Sequence, residues 1–204
     1  MKRYSLLILT LLMLAPLLPF AELSPDLEDD LTQSWSGGAP SVTLTEESFP
    51  QISSGSQYTC AILGDGTLKC WGYNNDGQLG LGFNGNENTP QIVDLGWGRT
   101  AMSVSTGTAH ACAILDSGAL KCWGAGGNGR VGDGTNQNKE APSAVNLGSG
   151  RTAVSVSAGS EHTCAILDNG AVSCWGLGSS GQLGNGATVG TTLTPTLTSS
   201  LGTN

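Results

Sequence analysis

The strongest constraint on the fold is an internal repeat with a period of 52 residues. Three stretches, YTCAILGDGTLKCWGYNNDGQLGLG, HACAILDSGALKCWGAGGNGRVGDG and HTCAILDNGAVSCWGLGSSGQLGNG, align without gaps. Cysteine, tryptophan and glycine recur at the same step, as in Cys60, Cys112 and Cys164. Repeats of this length are built by stacking copies of one supersecondary unit, so the chain is expected to fold as a repeat architecture.

Each period contains four short candidates for β-strands. In the second copy these are residues 101–105, 111–115, 119–123 and 143–147, each apolar or β-branched and bounded by turn-forming residues. The composition agrees, since 31 glycines and 12% charged residues suit turns and short strands better than helices. Four strands in about 50 residues are typical of one blade of a β-propeller, so the predicted fold is all-β.

The strings HTCAILDNGAVSCWG and GQLGNG resemble the regulator of chromosome condensation repeats. The resemblance covers residues 49–186 and implies blades of a propeller that has about seven blades in the family. The paired cysteines depart from the nuclear members and match the exported microbial proteins of this family. Membership of a repeat family indicates the fold rather than the function.

The six cysteines form three equivalent pairs, each placed symmetrically about a short turn, GDG, DSG or DNG. A hairpin there makes the two cysteines of a pair opposite residues on adjacent strands, which is close enough for a bridge. The predicted disulfides are Cys60–Cys70, Cys112–Cys122 and Cys164–Cys174. A zinc site is the alternative, but the chain lacks the close Cys-x-x-Cys pairs typical of zinc sites.

The N-terminus has the features of a secretory signal. Lys2 and Arg3 precede an apolar run over residues 6–18, and Ala21 ends the segment before polar sequence. We therefore predict a signal peptide over residues 1–21 and a secreted or extracytoplasmic protein, with an uncleaved membrane anchor as the alternative. Residues 22–48 are rich in acids, Ser and Thr without a regular period, and are expected to be an acidic linker or arm.

No residue pattern predicts catalysis, a metal site or a cofactor. His110 and His162 lie at equivalent repeat positions, so a structural role is expected for both. Asp65, Asp116 and Asp168 lie in the hairpin turns, where aspartate is common, rather than in a carboxylate pair for glycoside hydrolysis. The formal charge of −8 and the absence of a basic patch argue against nucleic acid as a partner.

Binding is expected from positions that the repeats do not share, because shared positions build the scaffold. The candidate binding surface consists of three aromatic residues and one arginine that differ from their counterparts in the other copies: Tyr73, Phe83, Trp97 and Arg130. Exposed aromatic and arginine side chains suit protein contacts or sugar stacking.

Residues 49–204 are expected to hold three propeller repeats that are incomplete at the C-terminus. Three blades are fewer than the smallest common ring, so we expect a segment of a longer propeller. Self-association that completes a ring is the alternative.

The predicted function is noncovalent recognition of another protein outside the cytoplasm, with no enzymatic activity. The alternatives are a carbohydrate-binding module and a hydrolase of cell-surface glycans. Nuclear guanine nucleotide exchange is not expected of an exported, acidic chain. A membrane contact is expected only if the N-terminal segment is retained.

Overall fold

The computed structural model describes residues 50–188 and 190–198 and contains three antiparallel sheets of four strands each. The predicted signal peptide and the predicted arm lie outside the described residues. Blade 1 comprises β1 (Gln51–Ser54), β2 (Tyr58–Ile62), β3 (Leu68–Gly72) and β4 (Glu87–Ile92). Blade 2 comprises β5 (Ala101–Thr106), β6 (His110–Leu115), β7 (Leu120–Gly124) and β8 (Lys139–Ala144). Blade 3 comprises β9 (Ala153–Ala158), β10 (His162–Leu167), β11 (Val172–Leu177) and β12 (Thr191–Leu197).

Each sheet is a meander in which consecutive strands are hydrogen-bonded neighbours. This confirms the prediction of three four-stranded units. Among the first strands of the blades, β1 contacts β5 and β5 contacts β9, whereas the fourth strands lie at the outer edges of their sheets. No described helix is both long and apolar enough to cross a membrane.

The hairpin between the second and third strands has the predicted register. Cys60 lies opposite Cys70, Cys112 opposite Cys122, and Cys164 opposite Cys174, and a disulfide joins each pair. The last glycine of each turn has a positive φ, as in Gly118 at 76°. A side chain would be strained there, so the Gly of GDG, DSG and DNG is what allows the tight turn.

The predicted position of the fourth strand is wrong. Residues 143–147 were expected, but β8 spans Lys139–Ala144 and includes Pro142. Proline is compatible with an edge strand because its missing N–H faces away from the ladder. The outer strands of the other blades likewise contain Pro90 and Pro195.

The core lies between the blades, because both faces of each central hairpin are apolar. The face of a hairpin that carries the disulfide is called its trailing face, and the opposite face is called its leading face. In blade 2 the trailing face includes Cys112, Ile114 and Leu120, which pack with Ala165 and Leu167 on the leading face of blade 3. The trailing face of blade 1 packs in the same way on the leading face of blade 2.

Candidate functional site

The meander topology divides the loops of the three blades between two ends. The loops after each third strand, residues 73–86, 125–138 and 178–188, lie at one end, which we call the loop end. The turns after each second strand and the connections between blades lie at the opposite end, which we call the hairpin end. Two residues in different loops can form one surface only if their loops belong to the same end.

Tyr73 and Phe83 lie on one loop, at the loop end of blade 1. The fully buried Asn74 holds this loop together, since its Nδ2 donates to the Phe83 carbonyl at 2.8 Å and its Oδ1 accepts from the Leu79 amide at 2.9 Å. Phe83 is 47% exposed, and the Tyr73 hydroxyl accepts a hydrogen bond from Asn75. Asn74 therefore presents an aromatic pair on a loop of defined conformation.

Trp97 lies at the hairpin end, in the connection between blades 1 and 2, and is fully exposed. The structure therefore separates Trp97 from Tyr73 and Phe83, although sequence comparison of the repeats selected all three. Two distinct surfaces, one at each end, follow from this placement.

Arg130 lies at the loop end but is only 9% exposed. Its Nε donates to the Gly127 carbonyl at 2.8 Å, while its terminal nitrogens contact the Ser160 carbonyl and the Glu161 carboxylate, both at 3.2 Å. The guanidinium therefore joins the loop of blade 2 to the first turn of blade 3. These contacts describe a link between blades rather than a free binding group.

A buried polar network that the sequence did not reveal joins the same two blades. His110 Nε2 lies 2.9 Å from Thr163 Oγ1, and the Thr163 hydroxyl donates to the Arg130 carbonyl at 2.9 Å. Because Thr163 uses its proton on the carbonyl, it accepts from the Nε2–H of a neutral imidazole. Burial, with smaller contributions from the charges of Arg130 and His162, lowers the pKa of His110 to about 3. His110 is thus a neutral structural group, as expected.

The tryptophan of each blade also bonds to the preceding blade. Trp123 Nε1 donates to the Gln78 carbonyl at 3.0 Å, and Trp175 Nε1 donates to the Arg130 carbonyl at 2.9 Å. Both indoles are fully buried. Position 78 and its counterpart 130 therefore both supply a backbone carbonyl to the next blade, and this bond does not depend on whether the side chain is Gln or Arg.

Charged groups are distributed differently at the two ends. At the hairpin end, Asp116 pairs with Arg99 at 3.2 Å and Asp168 pairs with Arg151 at 3.4 Å. The third turn carboxylate, Asp65, accepts a hydrogen bond from the Thr67 amide, which lowers its pKa. These aspartates stabilise turns, and residues 50–188 and 190–198 contain no cluster of three side chains suited to a metal ion.

At the loop end, both basic side chains have acidic partners. Lys139 pairs with Asp133 at 2.6 Å, and Arg130 pairs with Glu161. Burial opposes ionisation of Asp133, but hydrogen bonds from Lys139 and Thr135 outweigh it and hold the pKa of Asp133 below its usual value. None of the ion pairs among the described residues involves Asp76, Glu87 or Glu140. The loop end is therefore acidic.

An open groove of about 440 Å³ lies at the hairpin end between the blade 2–blade 3 connection and the outer part of blade 3. Its polar lining includes Arg151, Asn169 and Ser173, and its apolar lining includes Leu147 and Leu197. Arg151 is already paired with Asp168. No pair of carboxylates suited to glycoside hydrolysis lines the groove.

Two family models match the repeats of this chain. A model described as "Regulator of chromosome condensation (RCC1) repeat" matches residues 51–78, 103–130 and 153–182. A second model of the same description matches residues 65–114 and 117–166. Together the two models span residues 51–182, which include all three disulfide-bonded hairpins.

Among curated proteins, the probable E3 ubiquitin-protein ligase HERC3 of Homo sapiens is 36% identical over 143 residues, which are 70% of this chain and 14% of HERC3. The ultraviolet-B receptor UVR8 of Arabidopsis thaliana is 32% identical over 136 residues, which are 67% of this chain and 31% of UVR8. The chain thus spans less than a third of either relative.

Among solved structures, Prp20p from Saccharomyces cerevisiae superposes with a TM-score of 0.68 at 25% identity, covering 74% of this chain and 38% of Prp20p. That structure was described with the binding properties of Prp20p to Gsp1p and histones. Yeast RCC1 (Prp20) in complex with Kap60 gives a TM-score of 0.66, also at 25% identity, covering 74% of this chain and 37% of that one. The superpositions confirm that the three sheets are propeller blades.

Proposed function

Because this chain belongs to the regulator of chromosome condensation (RCC1) repeat family, we propose that its blades form a scaffold for noncovalent recognition of another protein. Prp20p binds Gsp1p and histones, and yeast RCC1 binds Kap60, so propellers of this family are used for protein contacts. Those partners belong to the yeast protein. The ligase activity in the name of HERC3 is not assigned here, because the match covers 14% of HERC3.

The observation that carries the proposal is the exposed Phe83 on a loop that Asn74 fixes from inside. An apolar ring held in one conformation binds a partner without the entropy cost of ordering a mobile loop. Aromatic side chains are enriched in the buried centres of protein interfaces. Phe83 and Tyr73, which lie on the same loop, are therefore the proposed contact centre at the loop end.

The charge of the loop end selects the kind of partner. Asp76, Glu87 and Glu140 have no ion-pair partner among the described residues, whereas the basic groups there are paired. Unpaired acidic residues at the same end as the aromatic residues favour a protein with a basic surface, because complementary charge raises the rate of encounter. Such binding should weaken as the salt concentration rises.

We also propose that the protein works outside the cytoplasm. Lys2, Arg3 and the apolar run over residues 6–18 support export, and three disulfides are typical of an oxidising compartment. N-terminal sequencing of the exported protein should find Glu22 as the first residue. A membrane-bound protein that still carries residues 1–21 would contradict cleavage and support the anchor.

The binding proposal is tested with immobilised protein and proteins collected from outside the producing cell. Wild type and Trp97→Ala should retain the same protein, and Tyr73→Ala/Phe83→Ala should lose it. Loss of about 2 kcal/mol from a contact centre corresponds to roughly 30-fold weaker binding. Equal retention by all three proteins would contradict recognition at the loop end.

Carbohydrate binding is a second candidate because the Trp97 indole is fully exposed at the hairpin end. An exposed indole face can stack on a sugar ring. Glycan-array binding that is lost in Trp97→Ala and kept in Tyr73→Ala/Phe83→Ala would support this candidate. Retention of glycan binding by Trp97→Ala would exclude the indole as the sugar platform.

A further inference from the structure

The groove at the hairpin end of blade 3 corresponds to a position that a lysine side chain occupies in the junction between blades 1 and 2. Lys121 lies opposite Ala113 on the leading face of blade 2, and its Nζ donates to the Leu95 carbonyl at 3.0 Å. The equivalent residue of blade 3 is Ser173, which lies opposite Ala165 and lines the groove. We propose that the groove binds a lysine side chain of a partner protein, in the way that the other junction holds Lys121.

The turn that accepts the ammonium group has the same conformation in both junctions. Gly96 has a φ of 102° and its counterpart Gly148 a φ of 101°. The carbonyl of each glycine accepts a hydrogen bond from the arginine amide three residues later, at 3.2 Å in both turns. The Leu147 carbonyl therefore corresponds to the Leu95 carbonyl that bonds to Lys121. Within the described part of the chain, no donor is bonded to the Leu147 carbonyl.

The Ser173 hydroxyl is a second oxygen that the protein leaves without a partner. Ser173 is 4% exposed, and its side chain makes no hydrogen bond to any other described residue. Polar groups buried this deeply are ordinarily hydrogen-bonded, because an unsatisfied one costs free energy. An ammonium group carries three N–H donors and no acceptor. It therefore suits a site that presents a carbonyl oxygen and a hydroxyl oxygen.

The apolar lining suits the four-carbon stem of lysine. Leu147, Pro195 and Leu197 line the groove together with the polar residues, and Leu197 is 62% exposed. Leu95, whose carbonyl bonds to Lys121, is 4% exposed, whereas the equivalent Leu147 is only partly buried. Lysine side chains lay their stem along apolar surface while the ammonium keeps polar partners. A lysine in the groove would thus remove leucine surface from water.

The charges around the groove are compatible with a cation. Arg151 lines the groove, but its guanidinium pairs with Asp168 at 3.4 Å. The equivalent pair, Arg99 with Asp116 at 3.2 Å, accompanies Lys121 in the other junction. Lysine and this ion pair therefore occur together elsewhere in the same chain. The formal charge of −8 further favours the approach of a cationic ligand.

The source of the lysine rests on the proposed role in protein recognition, whereas the existence of the site does not. The groove lies at the hairpin end, and Tyr73 and Phe83 lie at the loop end. An amine probe therefore tests the groove without any partner protein. The loop-end variants Tyr73→Ala/Phe83→Ala test recognition without the groove, so failure of one proposal is distinguishable from failure of the other.

The first probe is n-butylammonium chloride, which has the stem and the ammonium group of lysine. Titrated into the isotope-labelled, oxidised protein at pH 7, it should give saturable shifts of the backbone amide signals of Gly148 and Ser173. The uncharged 1-butanol should bind roughly 10- to 100-fold more weakly, because it lacks a charge-assisted hydrogen bond. No saturable shift, or equal binding of 1-butanol or butyrate, would overturn the ammonium site.

Two reciprocal variants locate the site. Ser173→Lys supplies the groove with a lysine of its own and should weaken butylammonium binding at Gly148 at least about 10-fold. Lys121→Ser removes the lysine of the other junction and should create a second site, seen as new shifts at Gly96. Undiminished binding by Ser173→Lys, or no response of Gly96 in Lys121→Ser, would overturn the assignment.

The matched control is Val154→Lys, which adds the same charge to blade 3 at a residue that is 66% exposed and does not line the groove. It should bind butylammonium like wild type. Far-UV circular dichroism and a count of free thiols verify that each variant is folded and oxidised. Weakening by Val154→Lys equal to that by Ser173→Lys would show a general charge effect and overturn the site.

The second probe is a short peptide with blocked termini and a single lysine. It should shift the same signals of Gly148 and Ser173, whereas the same peptide with norleucine in place of lysine should not. Binding of butylammonium without binding of the lysine peptide would overturn the assignment of the groove to a protein side chain. Equal binding of both peptides would overturn recognition of the ammonium group.

Discussion

Replacing Gly80 by alanine tests how closely the GQLG loop packs beneath the tryptophan of the next blade. A Cβ at Gly80 would lie 2.8 Å from Trp123 Nε1 and 2.9 Å from its Cδ1. The indole is fully buried, and its N–H is bonded to the Gln78 carbonyl, so it cannot move aside without losing that bond. The substitution therefore combines backbone strain with overpacking.

Gly82→Ala is the matched control because it changes the same loop without overpacking. Gly80 has a φ of 72° and Gly82 a φ of 82°, so alanine costs about 1–2 kcal/mol at either position for the left-handed conformation. A Cβ at Gly82 meets no atom within 4 Å. Only Gly80→Ala should add about 1–3 kcal/mol for the displaced indole.

Urea titration of the oxidised proteins, followed by tryptophan fluorescence, measures the difference. Gly80→Ala should have a free energy of unfolding about 1–3 kcal/mol below that of Gly82→Ala, which corresponds to a melting temperature roughly 3–9 °C lower. Equal stability of the two variants would refute the close packing of the loop against Trp123. A cost below 0.5 kcal/mol for Gly82→Ala would refute the assigned backbone strain.

Three further predictions concern the scaffold. The double variant Cys112→Ala/Cys122→Ala should lose about 3 kcal/mol of unfolding free energy, measured by urea titration, because the cross-link no longer restricts the unfolded chain; an unchanged midpoint would contradict this. The pKa of His110 is about 3 in the folded state and about 6.5 in the unfolded state. The contribution of the neutral imidazole to the free energy of unfolding is therefore fully present above pH 6.5. It falls towards pH 3 by up to about 1.4 kcal/mol per pH unit, because the unfolded chain binds the proton more readily. Urea titrations at pH 7.5 and 5.0 should show a lower free energy of unfolding at pH 5.0 for wild type and a smaller difference for His110→Gln. Equal differences in the two proteins would show that groups other than His110 cause the pH dependence. Arg99→Gln should change stability by less than about 1 kcal/mol, since its ion pair is partly exposed, and a larger thermal shift would contradict that estimate.

The parts of the fold that the sequence predicts are those that depend on local chemistry within one repeat. Cys112 and Cys122 lie symmetrically about a Gly-containing turn, so local geometry alone predicts their register and their bridge. The pattern misplaces the outer strand β8 because it predicts a strand that begins after Pro142, whereas the strand includes this proline, which an edge position tolerates. Local pattern does not reveal which strand will be an edge.

For the candidate binding residues, too, the sequence predicts one property and the tertiary structure decides another. Comparison of the repeats selected Phe83 and Arg130 because both differ from their counterparts, but only the tertiary structure separates an exposed ring from a guanidinium held by three contacts. The role of Thr163 was missed because its partners, His110 and Arg130, lie 53 and 33 residues away in the chain. The role of Asn74 was missed although its partners are local, because hydrogen bonds from a side chain to the backbone of an irregular loop carry no periodic signal.

By itself, the sequence determined the repeat period, the four-stranded unit, the hairpin turns and the three cysteine pairs, because these depend on contacts within about ten residues or on the recurrence of one motif. Tertiary structure decided which loops share an end and which charges are paired. Those properties depend on how one blade packs against the next. The His110–Thr163 pair illustrates the difference, since 53 residues of chain separate two side chains that only blade packing brings within 2.9 Å.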